Sequence, residues 1–275
     1  KRKKMNITQT VTKSTLAAAV IALVAVPSVF ALTNAVVTPI APGDWTLKAA
    51  DAGGAVNYVN EGAPNGLGVG SLKLTTGADA ASQASLGRLT SLPLSELATV
   101  SYWTKQVAAP TATGNASFQL GLMLTDATDS DVTFVYEPGL QSQFNPSASA
   151  VQAGNWQQWD VRSGIFQASK SYSGSFGDII GGTGNVSYFT IDDILAFSPT
   201  AKVSGYGVNV GKDAPSHDIR VDGVQLNDTV YDFEFASSYT MPLKDQCKDD
   251  GWMNLKTSEG ISFKNQGNCV SYALK

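Results

Sequence analysis

Residues 118–136 read FQLGLMLTDATDSDVTFVY, and this stretch decides the fold class. Apolar residues occupy alternate positions on both sides of a polar segment, which is the period-two pattern of a β-hairpin with one face in a core. The predicted core-facing residues of this hairpin are Phe118, Leu120, Leu122, Leu124, Val132, Phe134 and Tyr136.

The same alternation recurs towards the C-terminus. Residues 205–210 read GYGVNV, with an apolar residue at every second position. Residues 219–226 alternate as well but slip by one position at Asp222-Gly223, which predicts a β-bulge. Asn227-Asp228 predicts a tight turn into a further strand. These strands add Tyr206, Val208, Ile219, Val221, Tyr231 and Phe233 to the predicted core.

The remaining elements are short. Strand candidates lie at residues 56–59, 71–75, 82–86, 100–103 and 156–161. Residues 190–197 predict one capped helix of two turns, which Pro199 stops. About ten strands without β-α-β alternation predict a mostly β protein, an antiparallel sandwich of the jelly-roll type.

The N-terminus predicts export. Residues 1–4 are basic, and an apolar run of 11 residues extends from Leu16 to Val26. A small-residue cleavage pattern follows at Ala31, and Ala35 offers a second position. The alternative is a transmembrane anchor, but the run falls short of the ~20 residues needed to span a bilayer. We therefore predict a signal peptide over residues 1–35, a secreted extracellular protein, and no membrane association after its removal.

The net charge of the chain limits the classes of molecule that it is expected to bind. The chain has 19 basic and 23 acidic residues, and residues 1–35 contain five of the basic ones and none of the acidic ones. The mature part therefore carries 14 basic against 23 acidic residues, a net charge of −9. An acidic surface repels phosphates, so nucleic acid is not expected as a partner. The sequence does not determine the oligomeric state.

Cys247 and Cys269 are the only cysteines, and both lie after the sandwich. A protein that leaves the reducing cytosol is expected to pair them as a disulfide. A segment of about 35 residues has too little core to fold without such a crosslink. A metal or redox site is the alternative, but it would lack both a C-x-x-C motif and a nearby histidine. Helical spacing of apolar residues over 263–274 predicts a short helix in this tail.

The tail also resembles a known C-terminal motif. Residues 244–252 (KDQCKDDGW) and 263–272 (FKNQGNCVSY) are similar to a motif shared by many uncharacterised secreted bacterial proteins. This chain departs from the motif at Leu255, where an aromatic residue is expected, and in a longer insert at residues 256–261. The resemblance implies a secreted bacterial protein and implies no enzymatic activity.

A second resemblance covers residues 44–235. The segments around Gly70-Ser71-Leu72, Val135–Pro138, Trp156–Asp160 and Val221–Glu234 are similar to jelly-roll, concanavalin-like domains that often precede such tails. The wider fold group contains many glycan-binding modules, so a glycan is an expectation by analogy of fold. The predicted organisation is a signal peptide over residues 1–35, a sandwich domain over 36–236 and a disulfide-stapled tail over 237–275.

No catalytic motif stands out. His217 is the only histidine, and we expect it in a solvated loop. The glycine-rich residues 174–184 lack the Lys-Ser/Thr of a phosphate-binding loop. Glu137 and Glu234 fall on polar strand faces, where we expect solvated side chains, and no closely spaced acidic pair suggests glycoside hydrolysis.

Metal binding is equally weakly supported. Asp126, Asp129 and Asp131 could offer oxygens to calcium, but the spacing does not match an EF-hand, and an acidic turn is preferred. A structural calcium ion stays an unassigned alternative, and no other cofactor is expected.

The best ligand-binding candidates are Trp156, Trp159 and Tyr172, because flat aromatic rings stack on the C–H faces of sugars. At least one of the two tryptophans is expected in the core. The leading hypothesis is therefore a secreted, non-catalytic binding module for a glycan or another extracellular polymer. The alternatives are a structural or adhesive cell-surface protein and, third, a glycan-active hydrolase or lyase.

Overall fold

The computed structural model describes residues 32–50, 53–124, 131–169, 188–211, 215–235, 244–255 and 262–273. These residues form fourteen strands: β1 Thr33–Val37, β2 Thr46–Ala50, β3 Ala55–Val59, β4 Ser71–Thr75, β5 Gln83–Pro93, β6 Val100–Ala108, β7 Ser117–Met123, β8 Asp131–Tyr136, β9 Trp156–Asp160, β10 Phe166–Ala168, β11 Tyr188–Phe189, β12 Lys202–Val210, β13 Asp218–Leu226 and β14 Thr229–Phe233. The α-helices within the described residues are α1 Pro138–Phe144, α2 Ile191–Phe197 and α3 Gln266–Ala273, and short 3-10 turns lie there at Leu94–Glu96, Lys244–Cys247 and Gly251–Asn254.

The strands form two sheets of seven strands each. In the first sheet, β13 pairs with β6 along one edge and with β4 and then β14 along the other. β3, β1 and β9 complete this sheet on β4, β14 and β6 respectively. The second sheet has the order β11-β10-β8-β7-β12-β5-β2. The predicted mostly β sandwich is confirmed, with one departure from antiparallel pairing, because β1 runs parallel to β14.

The central hairpin has the predicted register. Phe118 pairs with Tyr136 and Leu122 with Val132, so the alternating apolar residues share one face. Nearly all the residues predicted for the core are buried between the sheets. Tyr231 is the exception, since it is half-buried and packs at the rim of the core.

The predicted irregularities are also confirmed. The pairing of β13 with β6 shifts between Asp222 and Gln225, and Gly223 adopts a φ of +53° that suits glycine. Helix α2 begins with a complete capping box between Thr190 and Asp193. Helix α1 was not predicted. It begins with Pro138 at its first position, where the missing N–H costs nothing, and the sequence before it reads as the end of a strand.

The tail forms a small cluster of its own. Cys247 and Cys269 are joined by a disulfide with a Cα–Cα distance of 5.7 Å, and both are fully buried. Phe263 completes this core, and Trp252 packs against it. Helix α3 lies within the predicted helical stretch, and a 3-10 turn begins at Gly251. Among the described helices, none has the length and apolar character required to cross a bilayer.

Candidate functional site

The outer face of the second sheet carries a groove, and strand alternation decides which residues line it. In β7, Leu120 and Leu122 point into the core, so Gln119 and Gly121 point away from it. In the neighbouring β12, Tyr206 and Val208 are buried, and Gly205 and Gly207 take the outward positions.

Four glycines meet at the centre of this face. Gly207 pairs with Gly87 of β5, and Gly205 pairs with Gly121 of β7. A Cβ atom at Gly207 would lie 2.2 Å from the carbonyl oxygen of Leu86, so no side chain fits there. At Gly87 the nearest atom would be 3.6 Å away, which is ordinary van der Waals distance. Backbone therefore forms the floor of the groove. At Gly87 a side chain would fit, so close packing is not the reason for glycine at that position.

The groove has a volume of about 510 Å³. From β8 to β2 it crosses five strands, which is about 19 Å at ~4.8 Å for each interstrand step. We call this surface the glycine groove; it is lined by Thr46, Lys48, Ser85, Leu86, Gly87, Arg88, Leu89, Gln119, Gly121, Thr133, Gly205, Tyr206 and Gly207.

The lining mixes polar and apolar surface and contains no carboxylate. Lys48 is exposed beside the floor. The Arg88 side chain points to the opposite side from Gly87: it forms an ion pair with Asp44 at 3.0 Å and lies 4.8 Å above the ring of Tyr231, at the rim of the core. Leu89 exposes 84% of its surface, which leaves one apolar patch at the wall.

An exposed aromatic pair lies farther along the same face. Gln119 pairs with Val135, Val135 with Gln167, and Gln167 with Tyr188 of β11. Tyr188 therefore points to the same outer face of the sheet as Gln119. The ring centroids of Tyr188 and Phe144 are 4.2 Å apart, and both rings are exposed.

The three predicted ligand-binding aromatics do not come together in this groove. Trp159 is only 3% exposed, and its indole N–H donates to Thr104 Oγ1 at 2.7 Å within the core, so its ring offers no platform. Trp156 is half-buried on the outer face of the first sheet, opposite Lys105. Tyr172 lies outside the described residues, as do the glycine-rich segment 174–184 and the turn residues Asp126 and Asp129.

Sequence reasoning missed the groove residues, although a signal was present. Gly121, Gly205 and Gly207 occupy the outward positions of strands whose inward positions are strongly apolar. Two neighbouring strands that together place glycine outward at three positions present bare backbone to solvent, and such glycines often mark close approach of a ligand.

Two further expectations are corrected. His217 is not solvated: it is 7% exposed, its backbone N–H donates to Thr76 Oγ1 at 3.0 Å, and its Nδ1 lies 3.0 Å from the carbonyl oxygen of Pro215. Glu234 is buried as well, and its two carboxylate oxygens accept the backbone N–H groups of Val69 and Gly70 at 2.8 and 2.9 Å. Neither residue is therefore available as a surface catalytic group.

Glu137 is half-buried, and burial raises its pKa to about 7. It lies at the start of helix α1, outside the lining of the glycine groove. Within the described parts of the chain, no three His, Cys, Asp or Glu side chains are grouped as metal ligands, and the calcium alternative gains no ligand set there.

Comparisons with known proteins found no matching family model and no matching curated protein. Solved structures with similarity include the family 11 carbohydrate-binding module of the cellulosomal cellulase Lic26A-Cel5E of Clostridium thermocellum, at 14% identity and a TM-score of 0.37, covering 66% of this chain and 86% of that one. A second is TmCBM61 in complex with β-1,4-galactotriose, at 11% identity and a TM-score of 0.28, covering 66% of this chain and 86% of that one. Similarity at this level assigns no ligand to the present chain.

Proposed function

We propose that this protein is a secreted, non-catalytic module that binds an extended glycan across the strands of the glycine groove. The observation that carries the proposal is the floor itself. Four outward glycines at the centre of a broad sheet leave a groove of about 510 Å³ that is bounded by hydrogen-bonding side chains. Backbone at the floor lets a ligand approach the sheet more closely than side chains would allow.

The lining suits the chemistry of sugars. Hydroxyl groups both donate and accept hydrogen bonds, and Gln119 and Thr133 can do the same from one wall. Lys48 donates from the other. The exposed side chain of Leu89 offers a surface for the apolar C–H face of a pyranose ring. A polymer is favoured over a single sugar because the groove crosses five strands.

The groove supports binding rather than hydrolysis. Glycoside hydrolysis requires two carboxyl groups that flank the scissile bond. The lining of the glycine groove contains none. The buried acidic residues Asp222 and Glu234 instead accept backbone N–H groups of the first sheet, so they serve its structure.

Secretion forms part of the proposal. The tail holds a buried disulfide, which is typical of proteins that work in oxidising compartments. A structural or adhesive surface protein has no need of a groove with an open backbone floor, and we therefore place that alternative second.

The test is a binding screen with a blocked groove. The full-length secreted protein is run by affinity electrophoresis and calorimetry against hydroxyethylcellulose, xylan, galactan and polygalacturonate. Gly87→Val should fill the groove without disturbing the sheet, because its Cβ atom has room. Gln119→Ala removes one hydrogen-bonding wall, and Met123→Ala is the matched control, exposed on the same sheet but outside the lining.

We expect Gly87→Val and Gln119→Ala each to weaken binding of the retained glycan at least about tenfold, with Met123→Ala unchanged. A Gly87→Val protein that folds and binds every glycan as the wild type does would refute the groove as the site. Absence of binding to all four polymers would favour the structural alternative.

A further inference from the structure

The outer face of the first sheet carries a second aromatic and polar surface. Register pairs Ser101 with Asp160, Trp103 with Gln158, and Lys105 with Trp156, so these residues all point to one side. Their neighbours Tyr102, Thr104 and Trp159 are buried on the other side. The two half-buried tryptophans therefore stand outside the core, which they do not help to build. We call the surface of Trp103, Trp156, Ser101, Gln158 and Gln225 the tryptophan face.

Trp103 and Trp156 are diagonal neighbours on adjacent antiparallel strands. Residues in this relation lie within reach of each other when the side chains are aromatic. Together they provide apolar ring surface at one end of the face.

The β-bulge of β13 makes room for one of these rings. A Cβ atom at Gly223 would lie 2.8 Å from Cδ1 of Trp103 and 2.6 Å from Cδ1 of Leu67. Gly223 also has a φ of +53°, a conformation that other residues rarely adopt. The bulge thus gives the Trp103 ring a fixed position against the backbone of the sheet.

A groove of about 340 Å³ continues from the tryptophans. A chain of hydrogen bonds orders its polar side chains. Gln158 Nε2 donates to Ser101 Oγ at 3.2 Å, Ser101 Oγ donates to Gln225 Oε1 at 3.2 Å, and Gln225 Nε2 donates to the carbonyl oxygen of Asn227 at 2.8 Å. Side chains held in this way lose little conformational entropy when a ligand binds.

The two charged side chains that line this groove, Arg162 and Asp160, already have partners. Arg162 pairs with Asp192 at 2.8 Å and donates to the carbonyl oxygen of Leu97 at 2.9 Å. Asp160 accepts hydrogen bonds from the hydroxyl and the backbone N–H of Ser163. The amide and hydroxyl groups of Ser101, Gln158 and Gln225 match the hydroxyls of an uncharged sugar, whereas the glycine groove carries the exposed cation Lys48.

We propose that the tryptophan face is a second carbohydrate site, one that binds a neutral glycan. Trp103 and Trp156 stack on the C–H faces of pyranose rings, while Gln158 and Gln225 hydrogen-bond their hydroxyls. The site shares no residue with the glycine groove and lies on the opposite sheet, so its existence does not depend on the function proposed above. A chain with both sites can hold two polymer chains at once and gains avidity on a polymer surface.

The test removes one site at a time from the full-length protein. Trp156→Ala and Gly87→Val are made singly and together, with Val107→Ala as the control, because Val107 is exposed on the same strand as Trp103 but does not line the groove. Binding is measured by calorimetry with the neutral polymers hydroxyethylcellulose, xylan and galactan. Tryptophan fluorescence of the Gly87→Val protein is recorded during the same titrations, and circular dichroism confirms that each variant is folded.

We expect the Gly87→Val protein to keep a weakened but measurable binding of a neutral polymer, with a change in tryptophan emission. The further change Trp156→Ala should weaken that binding at least about tenfold, and Val107→Ala should not. If Gly87→Val alone abolishes binding, the second site is refuted and the glycine groove stands. If Trp156→Ala alone abolishes it, the tryptophan face stands and the glycine groove is refuted as the site for that polymer. If hydroxyethylcellulose, xylan and galactan all fail to bind the wild type, the tryptophan face is refuted as a neutral-glycan site, whereas the glycine groove still faces the polygalacturonate arm of its own screen.

Discussion

The Asp222 carboxyl group accepts the backbone N–H of Phe233 at 2.8 Å through Oδ1, and this bond lies where the first sheet forks. β13 pairs with β4 up to Val221 and with β14 from Val224 onwards, so the strands on that edge separate at Asp222. The backbone donors at the fork lack a strand partner. Acidic side chains take this role, since Asp222 also accepts from Gly223 at 2.7 Å and Glu234 accepts from Val69 and Gly70.

The fork collects three buried carboxyl groups, on Asp222, Asp232 and Glu234. Burial raises the pKa of Asp222 to about 8, the two backbone donors oppose the rise, and the charges on Asp232 and Glu234 add to it. Burial and then Asp232 also raise the pKa of Glu234.

Stability should therefore fall as the pH rises. An unfolded aspartate releases its proton near pH 3.9, whereas folded Asp222 keeps it to about pH 8. Between these values the folded state binds more protons, so the free energy of unfolding decreases with pH, by up to about 1.4 kcal/mol per pH unit for one proton. Denaturant unfolding at pH 5, 6, 7 and 8 measures this slope.

Asp222→Asn is the control for that slope, because the amide oxygen can still accept the N–H of Phe233 while the titrating group is gone. We expect a flatter pH profile for this variant above pH 5. The range below pH 5 is avoided, because Asp193 acts there in the opposite sense: its bonds to Thr190 lower its pKa. Equal slopes in the wild type and the variant would show that Asp222 is ionised throughout.

Leu122 tests the sandwich core. It is fully buried in the central hairpin, and Leu122→Ala should cost about 2–5 kcal/mol of unfolding free energy through lost burial and the cavity left behind. The adjacent Met123 points outward and is 47% exposed, so Met123→Ala should cost much less. Similar losses for the two variants would mean that the inward and outward faces are wrongly assigned.

The core was predictable because its signal is local. The alternation of Phe118, Leu120 and Leu122 with polar or small residues is enough to predict which face they share. The slip at Asp222-Gly223 likewise predicts the bulge. The glycine groove was not predicted, since Gly87 and Gly207 become neighbours only through strand pairing over a long stretch of chain. The burial of His217 and Glu234 was missed for the same reason, because Thr76 and Gly70, their partners, are distant in sequence.

The disulfide should be needed by the tail and not by the sandwich. Cys247 and Cys269 form most of the tail's buried core, so Cys247→Ser with Cys269→Ser removes both a crosslink worth roughly 3 kcal/mol and the packing of Phe263. We expect proteases to cleave that double variant rapidly within residues 244–273, and the melting temperature of the sandwich to stay unchanged. Limited proteolysis with mass spectrometry locates the cleavage sites, and thermal unfolding gives the melting temperature. A lowered melting temperature of the sandwich would show that the two parts are energetically coupled.

The N-terminal strand predicts the processing site. β1 begins at Thr33, whose N–H donates to the carbonyl oxygen of Asp228 at 2.7 Å, and the side chain of Asn34 donates to Asp232 at 3.3 Å. Cleavage after Ala35 would remove this half of the strand, whereas cleavage after Ala31 leaves it whole. N-terminal sequencing of the secreted protein should therefore begin at Leu32. A start at Val36 would contradict the pairing of β1 with β14.

Trp156 and Trp159 lie three residues apart and should respond to mutation in opposite ways. Trp159 is buried, and its N–H donates to Thr104 Oγ1, so Trp159→Ala leaves a large cavity and an unpaired hydroxyl and should cost about 3–5 kcal/mol. Trp156 is half-buried on the outer face of an edge strand, and Trp156→Ala should cost far less stability. Thermal and denaturant unfolding of both variants measures the difference. Because Trp159→Phe keeps most of the apolar volume and loses the hydrogen bond, its smaller loss separates the two contributions at that site. Comparable destabilisation by Trp156→Ala and Trp159→Ala would place both rings in the core and remove the ring that the tryptophan face requires.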